Sequence, residues 1–257
     1  MAAFRIAAFG LFGLVFGSFL TVVIDRVPRK VSVVAPSSAC PECGTTILSR
    51  DNVPILSYLL LRGRCRTCGS AIPAVYPVLE ATTGALFAGA AAAFGRPYVA
   101  AVLALFFAVM LAVAVIDLRL RIIPNRIVYP GLAGFAVLIL AGVAFGQHLD
   151  LVRAAVGFLG FGAGLLALAL VSGGMGMGDV KLGALIGMVL GSLGLAYVAV
   201  AAALAFFVGG MLALGALIVL RVDRKQAIPF GPSLAAGAVL AAFLAPRVAS
   251  WYTAALH

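Results

Sequence analysis

Long apolar runs separated by short polar segments make up most of the chain. Six such runs cover residues 4–24, 76–94, 98–116, 127–145, 151–172 and 232–248. Each run is long enough to cross the roughly 30 Å hydrocarbon core of a bilayer as a helix. The pattern therefore predicts a set of membrane-spanning helices joined by short connections.

One further apolar run, residues 182–220, is too long for a single pass. It contains 39 residues without a formal charge, and as one helix it would measure about 58 Å at about 1.5 Å per residue. This length is about twice the hydrocarbon thickness, so the run fits two passes with a turn near residues 191–194. The total is about eight transmembrane helices, and the predicted fold is an all-α polytopic membrane protein.

The only sizeable polar stretch, residues 31–73, lies between the first and second predicted helices. Its apolar piece, residues 53–61, is too short to span a membrane and is bounded by Pro54 and Gly63. The stretch holds all four cysteines of the chain. We therefore expect a first transmembrane helix at residues 1–25, a small cytoplasmic domain at 26–75 and a seven-helix membrane domain at 76–257.

Composition and charge agree with this interpretation. The chain is 64% hydrophobic and 10% charged, whereas a soluble domain is nearer half apolar and a quarter charged. Fourteen of its 18 lysines and arginines lie on one side of the predicted topology. The positive-inside rule makes that side cytoplasmic and places the N-terminus outside. The net charge of +10 then indicates contact with anionic lipid, and no basic–aromatic repeat points to nucleic acid.

Four cysteines form two matched pairs. Cys40-Pro-Glu-Cys43-Gly and Cys65-Arg-Thr-Cys68-Gly are separated by 21 residues. Each pair can hold one side of a tetrahedral zinc ion, and a closed shell of four thiolates is typical of a structural site. The glycine after each second cysteine allows the backbone to turn so that amides face the sulfurs. Free thiols or a redox pair remain the alternatives.

Two aspartates are the candidate catalytic residues. Asp117 ends the third predicted helix, and Asp179 begins the sixth after the glycine-rich stretch 173–178. In the predicted topology both lie at the cytoplasmic face and at similar depth. A pair of carboxylates that share one proton can activate water and protonate a peptide carbonyl. The Gly176-Met-Gly178-Asp179 pattern is one associated with intramembrane aspartyl proteases.

Structural roles are the alternative for each acid. Asp117 could pair with Arg121 at a helix end, and Asp179 could cap the helix that follows it. Lys181 could bind a substrate carbonyl or lipid phosphate, or extend to the membrane interface. Glu80, inside an apolar run, could approach the aspartates or Lys181, or pair with an interfacial arginine. The two histidines have no partner residues that would indicate histidine-based catalysis.

Together these motifs resemble the type IV prepilin peptidases, also called leader peptidase/N-methyltransferases. The resemblance covers nearly the whole chain. Its segments are 17–28, the cysteine-containing 40–68, Asp117 with 123–125, 176–181 and 228–233.

The resemblance implies a bacterial inner-membrane enzyme with two activities. One is cytoplasmic cleavage of the leader peptides of type IV prepilins or type II secretion pseudopilins, with Asp117 and Asp179 as the catalytic pair. The other is N-methylation of the new N-terminus with S-adenosylmethionine. The sequence contains no glycine-rich nucleotide fingerprint of the soluble type, so no residue is assigned to that cofactor.

Two functions of other classes compete with the peptidase. A transporter also holds carboxylates in broken helices, but it predicts acids near the bilayer midplane and related halves. A zinc-dependent scaffold explains the cysteines and leaves both aspartates without a role.

Overall fold

The computed structural model describes residues 1–172, 174–218 and 229–255, and helices account for most of them. Two short helices lie between the first two long ones: a 3-10 helix at Ser49–Asp51 and α2 at Leu56–Leu60. The described residues contain no strand, only two isolated antiparallel bridges. The long helices are α1 Ala2–Arg26, α3 Val75–Ala93, α4 Pro97–Leu120, α5 Asn125–Ala144, α6 Leu151–Ser172, α7 Met177–Leu193, α8 Leu195–Ile218 and α9 Gly231–Ala255.

The described part of the chain thus has eight long helices at the predicted positions. Six of them, all except α3 and α7, are long and apolar enough to cross a membrane by themselves. The α7 helix has 17 residues, which corresponds to about 25 Å at about 1.5 Å per residue. The chain is an all-helical, multi-pass membrane protein, as predicted.

The predicted turn within residues 182–220 is confirmed at one glycine. Gly194 separates α7 from α8 with φ 155° and ψ 147°, a conformation that side-chain-bearing residues rarely adopt. Gly191 lies inside α7 instead. A Cβ there would be 2.6 Å from the carbonyl oxygen of Arg153 in α6, so this glycine allows two helices to approach closely.

Residues 1–108 form a first compact unit and residues 109–257 a second. In the first unit, α1 packs against α3 through glycines. A Cβ on Gly13 would be 2.8 Å from the Cβ of Phe87, and one on Gly17 would be 2.8 Å from the Cα of Glu80. The cysteine-containing residues 26–75 belong to this unit together with the helices on either side. The expected division at residues 25 and 75 stays a prediction.

The second unit is also assembled through small residues. A Cβ on Gly157 of α6 would overlap the carbonyl oxygen of Gly187 in α7. A Cβ on Gly237 of α9 would lie 2.6 Å from the backbone nitrogen of Ala205 in α8. Close backbone approach of this kind is the usual basis of helix packing in lipid. It leaves α7 largely covered by its neighbours.

Several residues that figured in the sequence interpretation lie outside the described residues. They are Gly173 of the glycine-rich stretch, Arg221, Arg224 and Lys225 of the last basic loop, and Ile228 of the final motif.

Candidate functional site

Asp117 lies in the last turn of α4, which extends to Leu120. Its residue surface is only 5% exposed, so its carboxylate is largely removed from water. The Oδ2 atom accepts a hydrogen bond of 3.0 Å from the backbone N–H of Gly231, the first residue of α9. The first N–H groups of a helix have no partner within the helix, so they are available to bind a carboxylate.

Gly231 is a site residue to which the sequence reasoning gave no role. A Cβ at this position would lie 2.6 Å from Asp117 Oδ2 and 3.2 Å from Ile123 Cδ1. Only glycine therefore lets the start of α9 reach the carboxylate without displacing it. The signal in the sequence is the segment Pro229-Phe-Gly-Pro232, in which a glycine and two prolines come directly before an apolar run.

Asp179 is the third residue of α7, and its N–H donates to the carbonyl of Gly176 over 3.0 Å. Its carboxylate interacts with the backbone N–H of Gly176, the residue before the helix. The Oδ1 atom is buried and has no hydrogen-bond partner among the described residues. A buried carboxylate oxygen without a partner is costly. It is therefore available to a water molecule or a substrate.

Ile123, in the loop between α4 and α5, lies between the segments that carry the two aspartates. It contacts Gly231, as described above, and a Cβ on Gly178 would lie 2.9 Å from the Cβ of Ile123. The carboxylates of Asp117 and Asp179 are close enough to interact electrostatically. The structure thus brings together two acids that are far apart in sequence, and we call this arrangement the aspartate site.

The structural alternatives for the two acids differ in their support. The described residues contain three ion pairs, Asp25–Arg29, Asp51–Arg66 and Asp150–Arg153, and none involves Asp117 or Arg121. The capping alternative for Asp179 keeps support, because its carboxylate interacts with the N–H of Gly176 at the start of α7. Gly176 precedes α7 with φ −74° and ψ 146°, so its backbone conformation does not require a glycine. Position 178 does require one, because a Cβ there would be too close to Ile123.

Lys181 points towards α5. Its Nζ donates a 3.1 Å hydrogen bond to Oδ1 of Asn125 and lies 5.0 Å from the centre of the Tyr129 ring. These contacts tie α7 to α5 beside the aspartate site. The suggestion that Lys181 binds a substrate or lipid group stays a prediction.

Glu80 is buried in α3, with 8% of its residue surface exposed. Its Oε2 accepts a 2.7 Å hydrogen bond from the backbone N–H of Ile55. Its partner within the first unit is therefore a loop amide rather than an interfacial arginine. Whether Glu80 also serves the aspartates stays a prediction.

The four cysteine sulfurs form a compact cluster in the first unit. The Sγ atoms of Cys40, Cys43, Cys65 and Cys68 all lie within 4.8 Å of one another. The Cys40–Cys68 separation is 3.8 Å, the same as the edge of about 3.8 Å of a tetrahedron with Zn–S bonds of about 2.3 Å. The cluster could hold a metal ion, and its geometry fits zinc.

Two equivalent turns build this cluster, as the sequence predicted. Gly44 adopts φ +69° and Gly69 φ +73°, values that favour glycine. The N–H of each glycine donates to the carbonyl of the first cysteine of its pair, over 2.9 Å at Cys40 and 3.0 Å at Cys65. Each turn therefore presents its two sulfurs on one side.

Local hydrogen bonds favour the thiolate form that binds metal. The backbone N–H of Cys43, followed by the hydroxyl of Ser70, lowers the pKa of the Cys40 thiol to about 6. The Ser70 hydroxyl also lowers the pKa of Cys68. The pKa of the Cys43 thiol is raised instead, although Thr45 bonds to it, because of desolvation and the neighbouring sulfurs. These contacts therefore favour the metal-binding thiolate form at Cys40 and Cys68.

Two protein-family models match most of the chain. The family described as "Bacterial Peptidase A24 N-terminal domain" matches residues 11–94, and the "Type IV leader peptidase family" matches residues 104–220. No solved structure matches the chain significantly.

Three curated relatives illustrate the similarity, each named prepilin leader peptidase/N-methyltransferase. The chain is 37% identical to the Bacillus subtilis (strain 168) protein over 249 residues, covering 94% of this chain and 95% of the relative. It is 36% identical to the Burkholderia pseudomallei (strain 1026b) protein over 258 residues, covering 90% and 82%. It is 31% identical to the Aeromonas hydrophila protein over 268 residues, covering 94% and 91%.

Proposed function

The chain belongs to the type IV leader peptidase family, and from this premise we propose that it is an aspartic endopeptidase acting on type IV prepilins or type II secretion pseudopilins. Membership confirms the resemblance inferred from the motifs and makes the protein an enzyme, so the transporter and scaffold alternatives lose their support. The relatives' names combine a leader peptidase with an N-methyltransferase. We extend both activities to this chain.

The observation that carries the peptidase mechanism is the aspartate site itself. Asp117 is held by the N–H of Gly231, while Asp179 keeps a buried oxygen without a partner. An aspartyl mechanism needs one carboxylate that accepts a proton from water and one carboxylic acid that donates a proton to the scissile carbonyl. The water oxygen bonds to the carbonyl carbon, the C–N bond then breaks, and the leaving nitrogen takes up a proton.

Substrate access follows from the glycines next to Asp179. Gly174 and Gly176 carry no side chains, so an extended peptide can lie close to the backbone there, whereas the space beside Gly178 is taken by Ile123. A hydrophobic substrate helix would enter from the bilayer, and its leader would lie in the cytosol. The excess of basic residues in the loops on this side supports a cytoplasmic position for this face. We therefore propose that the N-terminus lies on the other side of a bacterial inner membrane.

Zinc is the metal that we propose for the cysteine cluster, with a structural role. Four cysteines leave no open position for a substrate or water, unlike a catalytic zinc site. The segment has few apolar residues of its own, so metal binding is expected to supply much of its folding free energy.

S-adenosylmethionine is the proposed methyl donor for the second activity. When bound, it supplies a methyl group to the amine that cleavage exposes.

The decisive experiment compares the cleavage of a prepilin by wild type, Asp117→Asn and Asp179→Asn in detergent or nanodiscs. Each variant should lose at least about 10²–10⁴-fold in turnover, the usual contribution of general acid–base catalysis. Asp150→Asn is the matched control, because it removes a carboxylate that is partly exposed and paired with Arg153. It should cleave like wild type.

Thermal unfolding must show that the two asparagine variants keep the wild-type fold. Wild-type turnover in either folded variant would exclude the aspartyl pair and redirect the search to Glu80.

A further inference from the structure

The short helix α2 turns its apolar residues away from the rest of the protein. Leu56, Leu59 and Leu60 are 52, 64 and 72% exposed, whereas Ser57 is buried. Residues at i, i+3 and i+4 lie on one face of a helix, so the three leucines form a single apolar face. In a soluble protein the apolar face of a helix is turned towards the core. The reversed arrangement indicates that this face meets an apolar partner and not water.

Hydrogen bonds on the inner side of α2 hold the leucines outwards. The Ser57 hydroxyl accepts a 3.0 Å hydrogen bond from the N–H of Val53 and donates one of 2.9 Å to the carbonyl of Arg50. After α2 the chain turns back at Gly63, whose φ is +66° and where a Cβ would lie 3.0 Å from the ring of Tyr58. Both the conformation and the space at position 63 suit glycine. The orientation of α2 is therefore built into the fold.

A further contact fixes how deep α2 lies beside α1, a helix long and apolar enough to cross a membrane. The N–H of Ile55 donates a 2.7 Å hydrogen bond to Oε2 of Glu80, and the Cα of Glu80 would be 2.8 Å from a Cβ on Gly17. Gly17 precedes Arg26, the last residue of α1, by nine residues, which is about 13.5 Å at about 1.5 Å per residue. The glutamate side chain and its hydrogen bond together are shorter than this distance. The start of α2 therefore lies level with the last turns of α1 and not beyond its end.

Arginines stand on both sides of the leucine face in the chain. The stretch 50–66 contains four arginines and one aspartate, and that aspartate, Asp51, is paired with Arg66. The other three arginines are exposed and take part in none of the ion pairs of the described residues. They are Arg50, Arg62 and Arg64. An arginine at a membrane surface keeps its aliphatic part among apolar groups and its guanidinium at the lipid phosphates.

We propose that residues 50–64, the α2 segment, lie in the interface of the bilayer and bind anionic phospholipid. The three leucines enter between the acyl chains, and the three arginines bind headgroup phosphates through charge-assisted hydrogen bonds. Charge selects this partner over a second copy of the chain, which would bring the same excess of positive charge to the contact. The depth of Ile55 beside α1 places the leucines where acyl chains begin.

This inference goes beyond the proposed function, which gives α2 no role. Cys65 follows Arg64 directly in the chain. An anchored α2 segment would therefore hold the second cysteine turn at the membrane surface and keep it from moving freely in solvent.

Depth-dependent quenching of fluorescence tests the insertion. The chain has one tryptophan, Trp251, so full-length Trp251→Phe is a background in which one new tryptophan can be observed. Leu59→Trp in this background is placed in nanodiscs whose lipid is brominated either near the headgroup end or near the methyl end of the acyl chains. We expect blue-shifted emission and stronger quenching by the first lipid, because interfacial helices lie roughly 5–10 Å into the boundary between headgroups and acyl chains.

Glu42→Trp in the same background is the control. Glu42 is exposed between the two cysteines of the first turn and lies outside the α2 segment, so its replacement should emit as in water and escape both quenchers. Thermal unfolding, compared with Trp251→Phe, shows that each variant is folded.

Three results would overturn the insertion. The first is water-like emission from Leu59→Trp, and the second is equal quenching of Leu59→Trp and Glu42→Trp. The third is blue-shifted emission without quenching, which would mean that protein, such as a second copy of the chain, covers the leucines.

Lipid selectivity at the same reporter tests the arginines. The brominated lipid is either phosphatidylglycerol or phosphatidylcholine, at the same mole fraction, and the ratio of their quenching constants is measured for Leu59→Trp. The anionic lipid should be preferred at least about fivefold, the effect expected of one arginine near a membrane surface. Adding Arg62→Gln and Arg64→Gln should lower the ratio towards one.

Arg119→Gln with Arg126→Gln is the matched control, because it removes two exposed positive charges outside the α2 segment. It should keep the ratio. A ratio near one before any arginine is changed, or an unchanged ratio after Arg62→Gln and Arg64→Gln, would overturn the binding of anionic lipid. Neither measurement involves prepilin cleavage or depends on which face is cytoplasmic, so a failure here leaves the proposed function standing.

Discussion

The cysteine cluster and the aspartate site are built in opposite ways. The cluster uses two nearly identical turns, each closed by a glycine hydrogen bond that connects residues four apart. The aspartate site needs the end of α4, the start of α7 and the start of α9, and its hydrogen bond from Gly231 to Asp117 joins residues 114 positions apart. Local chemistry produces the first site, whereas only helix packing produces the second.

The two sites should therefore respond differently to mutation. A site made by local turns and a metal should fail completely when one ligand is lost, because the metal supplies the folding free energy. A site made by helix packing should tolerate changes in exposed positions. It should be sensitive wherever a side chain would separate the helix ends.

The largest expected effect is on the cysteine cluster. Cys65→Ser removes one of four ligands, so bound zinc should fall from about one per protein to nearly none, with residues 38–72 losing protection from hydrogen exchange. Metal analysis and exchange mass spectrometry check this. The protection of α6 and α7 should persist, since their packing depends on glycines in the second unit.

Thr67→Ala, a change in the same turn that spares every sulfur, is the control and should keep its zinc. Zinc retained at wild-type level by Cys65→Ser would contradict a four-cysteine site.

The second effect concerns Gly231. In Gly231→Ala the new Cβ would lie 2.6 Å from Asp117 Oδ2, so the carboxylate must move away from its N–H donor. Displacement of a catalytic group by about 1 Å typically costs about 10²-fold in rate. We expect a fall in prepilin turnover of that order, measured by steady-state cleavage, with zinc content unchanged.

Gly134→Ala, in α5, is the matched control because a Cβ there meets nothing within 4 Å. Unchanged turnover in Gly231→Ala would show that the contact between α9 and Asp117 has no part in catalysis.

The smallest effect is predicted for Lys181. Lys181→Met removes one partly exposed hydrogen bond to Asn125 and one contact with the Tyr129 ring, together about 1–2 kcal/mol of stability. Denaturation should show this loss while turnover changes by less than about threefold. Arg126→Met, which removes an exposed charge next to Asn125, serves as the comparison.

A stable Lys181→Met protein with strongly reduced cleavage would instead assign Lys181 a role in substrate binding.

Much of the fold could be predicted because lipid imposes simple requirements on sequence. A helix that crosses a bilayer must satisfy its backbone internally and present apolar side chains, so hydropathy finds its position. Hydropathy locates the ends of such a helix less accurately than its middle. The α1 helix extends to Arg26 and α4 to Leu120, beyond the apolar runs, because backbone hydrogen bonding continues into the interface where charged side chains are tolerated.

The sequence by itself determined which residues are close in space only where the chain turns back locally. The Cys-x-x-Cys-Gly pairs and the break at Gly194 are of this kind, since glycine conformation and neighbouring hydrogen bonds decide them. The sequence also indicates Asp117 and Asp179 as candidate catalytic residues, because charge in an apolar context is expensive, and their role stays a prediction.

Only the tertiary structure decided which side chains from distant segments are in contact. Three contacts depend on segments that are distant in sequence. Gly231 donates to Asp117, Ile123 lies against Gly178, and Glu80 accepts the amide N–H of Ile55. Such contacts have no local pattern. They arise where glycines let helix backbones approach, and packing in three dimensions then selects which side chains meet.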